Sequence, residues 1–223
     1  FTRSTDRDNS MIQRGPIMKT TLVLPVLLSL MLPAVGTAAI QTETVDYQDG
    51  DTTLTGYLVY DDAIEGKRPG VLVVHEWWGL NEYARSRVRQ LAEQGYVAFA
   101  PDMYGSGKVT THPDQASAWM KEIKGNVQHW VERAETGLSV LKQQPVVDAT
   151  KTAAIGYCFG GATVMHMAYA GLDVDLVASF HGSLPVASEG QSDAIKARIL
   201  VAHGNADPFV PVDRVAAFRD ALG

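Results

Sequence analysis

Five short apolar runs constrain this chain more than any other feature: residues 70–74, 96–100, 153–157, 176–180 and 199–202. None alternates polar with apolar, as a half-exposed strand would. The runs at 70–74 and 96–100 suit strands buried on both faces, and the other three also read as strands. Helical patterns separate the runs. Ala84, Val88 and Leu91 mark one face of a helix, with Arg85, Arg89 and Glu93 largely off it and Gly95 at its end. Pro113 suits the first turn of a long helix, whose stripe runs through Trp119, Ile123, Val127, Trp130, Ala134, Leu138 and Leu141 to Gln143 despite Gly125. The two tryptophans on that stripe read as core. Phe159–Ala170 reads as a buried helix. Upstream, residues 43–47 and 52–60 alternate around Asp49-Gly50 and read as an antiparallel hairpin. This order predicts an α/β fold, a mostly parallel sheet with helices on both faces. Such sheets gather their chemistry at the carboxyl ends of the strands.

Composition narrows the function. The 223 residues are 46% hydrophobic and 20% charged, which fits one globular domain. With 19 basic and 25 acidic residues and no basic run, binding to nucleic acid by phosphate neutralisation is not expected. The single cysteine, Cys158, excludes an intrachain disulfide and a cysteine-based zinc site. No metal or cofactor is implied.

The first 39 residues read as something other than fold. Residues 1–17 are polar and aperiodic, and are expected to be an upstream extension, with Met18 as the start. Residues 18–39 have a basic start, an apolar run from Leu22 to Val35 and a small-residue exit, the pattern of a secretory signal peptide. Pro25 and Pro33 interrupt the run, which is short for a membrane span, so no stable anchor is expected. A lipid anchor would need a cysteine near the exit. Cleavage near Ala38 or Ala39 would leave residues 40–223 as one exported domain, periplasmic or secreted. Residues 1–38 hold four basic and two acidic residues, so the mature domain keeps 15 against 23, a net charge of −8.

Three strand ends carry chemistry. The first is Gly156-Tyr157-Cys158-Phe159-Gly160-Gly161, a G-x-nucleophile-x-G elbow with cysteine at its centre. A sharp turn holds the nucleophile at the tip of the sheet, and glycines two before and two after let strand and helix approach. The helix N-terminus is expected to favour thiolate. The competing reading is a glycine-rich turn around a buried structural cysteine. The second is His203-Gly204-Asn205-Ala206-Asp207-Pro208, where Asp207 can orient a catalytic histidine or else cap a helix. The third is His75-Glu76-Trp77-Trp78-Gly79. Glu76 is either a solvated loop acid or a group that contacts the thiol and controls its ionisation.

From about residue 43 to its end, the chain resembles the dienelactone hydrolase (carboxymethylenebutenolidase) family of the α/β-hydrolase fold. The resemblance rests on HEWWGLN at 75–81, R-x-LAEQGY at 89–96, APDMY at 100–104, GYCFGG at 156–161 and HGNADPFVP at 203–211. It implies a Cys-His-Asp triad with Cys158 as nucleophile and Asp207 as acid. It also implies that Glu76 hydrogen-bonds the resting thiol, and that the backbone N–H groups of Trp77 and Phe159 form the oxyanion hole. The implied activity is hydrolysis of a small ester or lactone through a thioacyl-enzyme.

Two departures qualify the resemblance. The triad histidine belongs about 25–35 residues after Asp207 in the chain order of this fold, and no histidine follows Asp207. Val215, Phe218 and Leu222 keep helical spacing to the chain's end. The expectation is a C-terminal truncation that removes the last strand and helix with the histidine and leaves this fragment nearly inactive. His181, at a strand end, is the one substitute; His203 reads as structural and His166 as core. The second departure is in substrate recognition: the family's arginines that hold the dienelactone carboxylate have no clear match, the only cation in 104–120 being Lys108. Trp77-Trp78 suggests a more apolar wall, so ester or lactone hydrolysis is carried over without dienelactone itself. The alternatives are a thiol-redox protein using Cys158 and a non-catalytic binding domain on the same fold.

Overall fold

A computed structural model describes residues 39–223. The expected upstream extension and nearly all of the expected signal peptide lie outside the described residues. The hairpin comes first, β1 (Ile40–Asp49) and β2 (Thr52–Asp61), paired antiparallel with Asp49 opposite Thr52. Gly50 turns it at φ 58°, the left-handed region that glycine enters without a Cβ clash. Then follow β3 (Arg68–Val74), α1 (Glu82–Glu93) and β4 (Val97–Ala100). Asn81 caps α1 by accepting the Ala84 N–H at 3.2 Å. Gly95, at φ 91°, ends the helix while the Tyr96 N–H reaches back to the Leu91 carbonyl.

The long helix expected from Pro113 to Gln143 is two helices, α2 (Pro113–Lys124) and α3 (Val127–Lys142). The apolar spacing runs on across the break in sequence, although Val127 at the start of α3 is exposed. What breaks the helix is Asn126, which leaves helical geometry and caps α3 by accepting the His129 N–H at 3.1 Å. The chain continues with β5 (Val147–Tyr157), α4 (Phe159–Tyr169), β6 (Leu176–Phe180), the short α5 (Gln191–Ala194), β7 (Arg198–Ala202) and α6 (Val212–Asp220).

The seven strands form one sheet in the order β1-β2-β4-β3-β5-β6-β7. Pairing is antiparallel across β1, β2 and β4 and parallel from β4 through β7. Alternate residues of β3 serve two cores. Val71 and Val73 pack with Ala84, Val88 and Ala92 of α1. Leu72 and Val74 pack with Trp130, Leu138 and Leu141 of α3 and with Phe159 and Met165 of α4. Helices therefore cover both faces, as an α/β-hydrolase fold requires. Both core tryptophans sit on the α2–α3 side, Trp130 only 2% exposed and Trp119 partly buried.

Register fixes the site. Val74 pairs with Gly156, Tyr157 with Phe180, and Phe180 with Ala202. The carboxyl ends of β3, β5, β6 and β7 thus finish level and side by side. The ladder continues one residue beyond the strands: the Cys158 N–H donates to the Phe180 carbonyl and the His181 N–H to the Ala202 carbonyl, both at 3.0 Å.

Candidate active site

Cys158 stands between β5 and α4 at φ 54°, ψ −110°. A non-glycine residue held there costs roughly 1–3 kcal/mol and persists only where packing enforces it. The enforcement is visible at the flanking glycines. A Cβ on Gly156 would lie 2.0 Å from the Gly160 carbonyl oxygen, and one on Gly160 would lie 2.2 Å from the Val74 carbonyl oxygen. The elbow exists because both positions lack a side chain. Its sulfur is half-buried and is not in a disulfide.

The helix N-terminus, expected to favour thiolate, is not the largest influence on this thiol. Burial is the largest influence and pushes the thiol above its ordinary range. The Phe159 N–H opposes burial, the charge of Glu76 adds to it, and Lys124 weakly opposes it. The resting group is therefore a thiol. Glu76 lies beside it in the same cavity, its own carboxyl pushed up by burial and drawn down by His181. Among the described residues, no hydrogen bond joins Glu76 to Cys158; the two interact through charge across the cavity.

Asp207 does not cap α6, whose cap position is Pro211. One carboxylate oxygen, Oδ1, accepts the Phe209 and Val210 N–H groups at 2.8 and 3.2 Å. Those bonds hold the carboxyl below its usual range. The other oxygen, Oδ2, faces His181, whose Nδ1 lies 2.5 Å away. The approach is off the hydrogen-bond axis, so Oδ2 is close to its neighbour without a well-aligned bond. His181 is itself left-handed, at φ 55°, and its side chain is half exposed. His203 ties the same loop down from the other side, its Nε2 2.9 Å from the Val210 carbonyl.

These groups open on a cavity of about 400 Å³. Cys158, Glu76 and His181 line it together with Trp77, Trp130, Met120 and Phe209. Trp77 packs on Trp78 at 4.7 Å, so one ring of the pair forms wall and the other backs it. Trp130 contributes to the wall while its Nε1 donates to Thr163 at 2.9 Å. Lys124 also lines the cavity and was missed in the sequence. The break after Lys124 ends α2 at the mouth of the site. Lys108 lies elsewhere, its carbonyl packed against Gly79. Tyr104 is buried nearby, its hydroxyl without a partner among the described residues and close enough to Cys158 for their charges to interact.

Comparison with known proteins follows from this geometry. A sequence model of the dienelactone hydrolase family matches residues 54–223. The chain belongs to the dienelactone hydrolase family. It is 31% identical to Protein usf of Aquifex pyrophilus over 78% of this chain and 75% of that one. It is 27% identical to the carboxymethylenebutenolidase of Pseudomonas putida over 82% and 78%. Among solved structures, a dienelactone hydrolase-like promiscuous phosphotriesterase from metagenomic libraries superposes with a TM-score of 0.79. It is 38% identical, covering 82% of this chain and 77% of that one. The protein is thus a dienelactone hydrolase-like hydrolase of the α/β-hydrolase fold.

Proposed function

We propose that this chain carries the site of an enzyme that hydrolyses small carboxylic esters or lactones by acyl transfer to Cys158. The supporting observation is the strained Cys158 at the sheet tip, sharing one cavity with Glu76 and flanked by the Asp207 loop. The buried thiol needs a base. As a histidine takes its proton, sulfur attacks the carbonyl carbon and a C–S bond forms. The oxyanion rests on the Trp77 and Phe159 N–H groups. Collapse breaks the C–O bond, and the histidinium protonates the leaving alkoxide. Water, deprotonated by the same histidine, then cleaves the thioester and releases the acid. Asp207 orients the histidine and stabilises its cation. Glu76, whose charge disfavours the thiolate, keeps the thiol protonated until the histidine takes its proton.

The histidine is the one part with two readings. In the first, it follows Asp207 in the chain order of this fold, at a position after residue 223. The 2.5 Å contact between His181 and Asp207 favours His181 instead. Assaying residues 40–223 and a chain extended to its natural C-terminus, each with and without His181→Asn, separates them. Activity confined to the extended chain and insensitive to His181→Asn supports the downstream histidine. Activity in residues 40–223 that His181→Asn abolishes supports His181. Hydrolysis that survives Cys158→Ala refutes the mechanism under both. Because one relative is named a phosphotriesterase, an activated phosphotriester is the second probe beside the ester. The proposed location is periplasmic or secreted, tested by an N-terminus at Ala39 or Ile40 in the secreted product.

A further inference from the structure

We infer that His75 is the positioning residue of the oxyanion hole, holding the Glu76–Trp77 peptide so that the Trp77 N–H is fixed where charge develops. This rests on the reading above that the Trp77 N–H receives the oxyanion. His75 is 1% exposed, yet both its ring nitrogens are engaged. Nε2 lies 3.2 Å from the Met103 backbone nitrogen. A backbone N–H can only donate, so Nε2 must be the unprotonated nitrogen. The ring proton is therefore on Nδ1, which donates to the Glu76 carbonyl at 2.5 Å. Burial keeps the imidazole pKa below its usual range, in agreement with this neutral tautomer.

The Glu76 carbonyl and the Trp77 N–H belong to one planar peptide and point in opposite directions. Holding the first therefore holds the second. Donation to the carbonyl also polarises the amide and makes its N–H a stronger donor. The other bond to that carbonyl, from the Gly79 N–H, is long at 3.4 Å and cannot replace His75. The ring is wedged between Tyr104, at 5.1 Å, and Phe159, the residue of the second oxyanion donor, at 6.1 Å. Its acceptor side is anchored too. The Met103 carbonyl accepts Arg133 Nη1 at 3.2 Å, and Arg133 Nε pairs with Asp49 at 2.7 Å. His75 thus connects a rigid internal brace to one peptide of the catalytic loop.

The test uses His75→Asn, His75→Gln and His75→Leu in the full-length protein. Asparagine places an amide N–H where Nδ1 stands and keeps the bond to Glu76. Glutamine reaches the Nε2 position and keeps only the bond to Met103. Leucine keeps neither. The readouts are the Trp77 amide nitrogen chemical shift, kcat and KM for an activated ester, and the melting temperature. Asparagine and glutamine each lose one buried bond and should melt at similar temperatures. The Trp77 resonance should stay near its parent position in the asparagine variant and move in the other two. Full loss of an oxyanion donor costs roughly 10²–10³-fold in kcat, so misplacing one should cost about 10–100-fold in the glutamine and leucine variants, with KM little changed and asparagine within about 3-fold of the parent. If asparagine and glutamine fall alike while Cys158→Ala is inactive, the His75 role is wrong and the hydrolysis reading stands. If the Trp77 resonance moves as expected while kcat is the same in all variants, the oxyanion reading fails and this inference fails with it. The asparagine–glutamine contrast decides even if the leucine variant does not fold.

Discussion

Gly160→Ala places one methyl group where the elbow has no room. Its Cβ would lie 2.2 Å from the Val74 carbonyl oxygen, 2.7 Å from the Val74 carbonyl carbon and 2.8 Å from the His75 carbonyl oxygen. All three are backbone atoms at the end of a central strand, so no flexible side chain can turn away. Contacts below 3.0 Å are essentially absent for real Cβ atoms, so α4 and β3 must separate by about 0.8 Å at this point. Overpacking of this kind costs typically 1–3 kcal/mol. For a domain of this size that lowers the melting temperature by roughly 2–4 °C per kcal/mol. The effect on chemistry should be larger, because α4 carries the Phe159 N–H and β3 leads into the Trp77 loop. A shift approaching 1 Å between catalytic groups can cost about 100-fold in rate. Gly204→Ala is the control, since a Cβ there meets nothing within 4 Å. The expected result is a melting temperature several degrees lower and turnover down by about two orders of magnitude for Gly160→Ala, with Gly204→Ala at parental values for stability. A Gly160→Ala protein that melts within a degree of the parent and keeps its turnover would refute the close-packing account of the elbow.

Two further outcomes follow from charge and burial. The rate of Cys158 alkylation tracks the thiolate, so its pH midpoint should lie above that of an exposed thiol. Removing the negative charge with Glu76→Gln should lower the midpoint, and removing the positive charge with Lys124→Met should raise it; shifts of the opposite sign would contradict the assignment. Tyr104→Phe deletes a buried hydroxyl that has no hydrogen-bond partner among the described residues, and should raise stability in a thermal melt by about 1 kcal/mol. A destabilised Tyr104→Phe protein would mean that the hydroxyl is satisfied in solution.

The strands were legible because each run is both apolar and short; the central ones are buried, while β7, at the sheet edge, leaves Leu200 exposed despite its apolar sequence. The elbow was legible because its glycines sit at fixed offsets from Cys158, and the Asp207 loop because it directly follows a strand. What escaped depends on contacts between distant segments. The apolar stripe keeps its period through Gly125-Asn126, so the helix break was invisible to periodicity and Lys124 went unplaced at the cavity mouth. The Gly-Asn pair was the available signal. His181 was legible as a substitute histidine at a strand end, but its contact with Asp207 depends on the pairing of β6 with β7 in the sheet. The Cys158 thiol was read from its helix N-terminus and from Glu76, while burial, a property of the folded cavity, is the largest influence on it. The tautomer of His75 required knowing that the Met103 N–H points at the ring.

The central claim is that Cys158 attacks the substrate carbonyl. The direct measurement is mass spectrometry of the protein quenched in acid during turnover of an activated ester, followed by peptide mapping. The account predicts an increment of one acyl group on the peptide containing Cys158, absent in Cys158→Ala and lost on longer incubation as the thioester hydrolyses. Turnover with no acyl adduct on that peptide, or with the adduct on another residue, would contradict it.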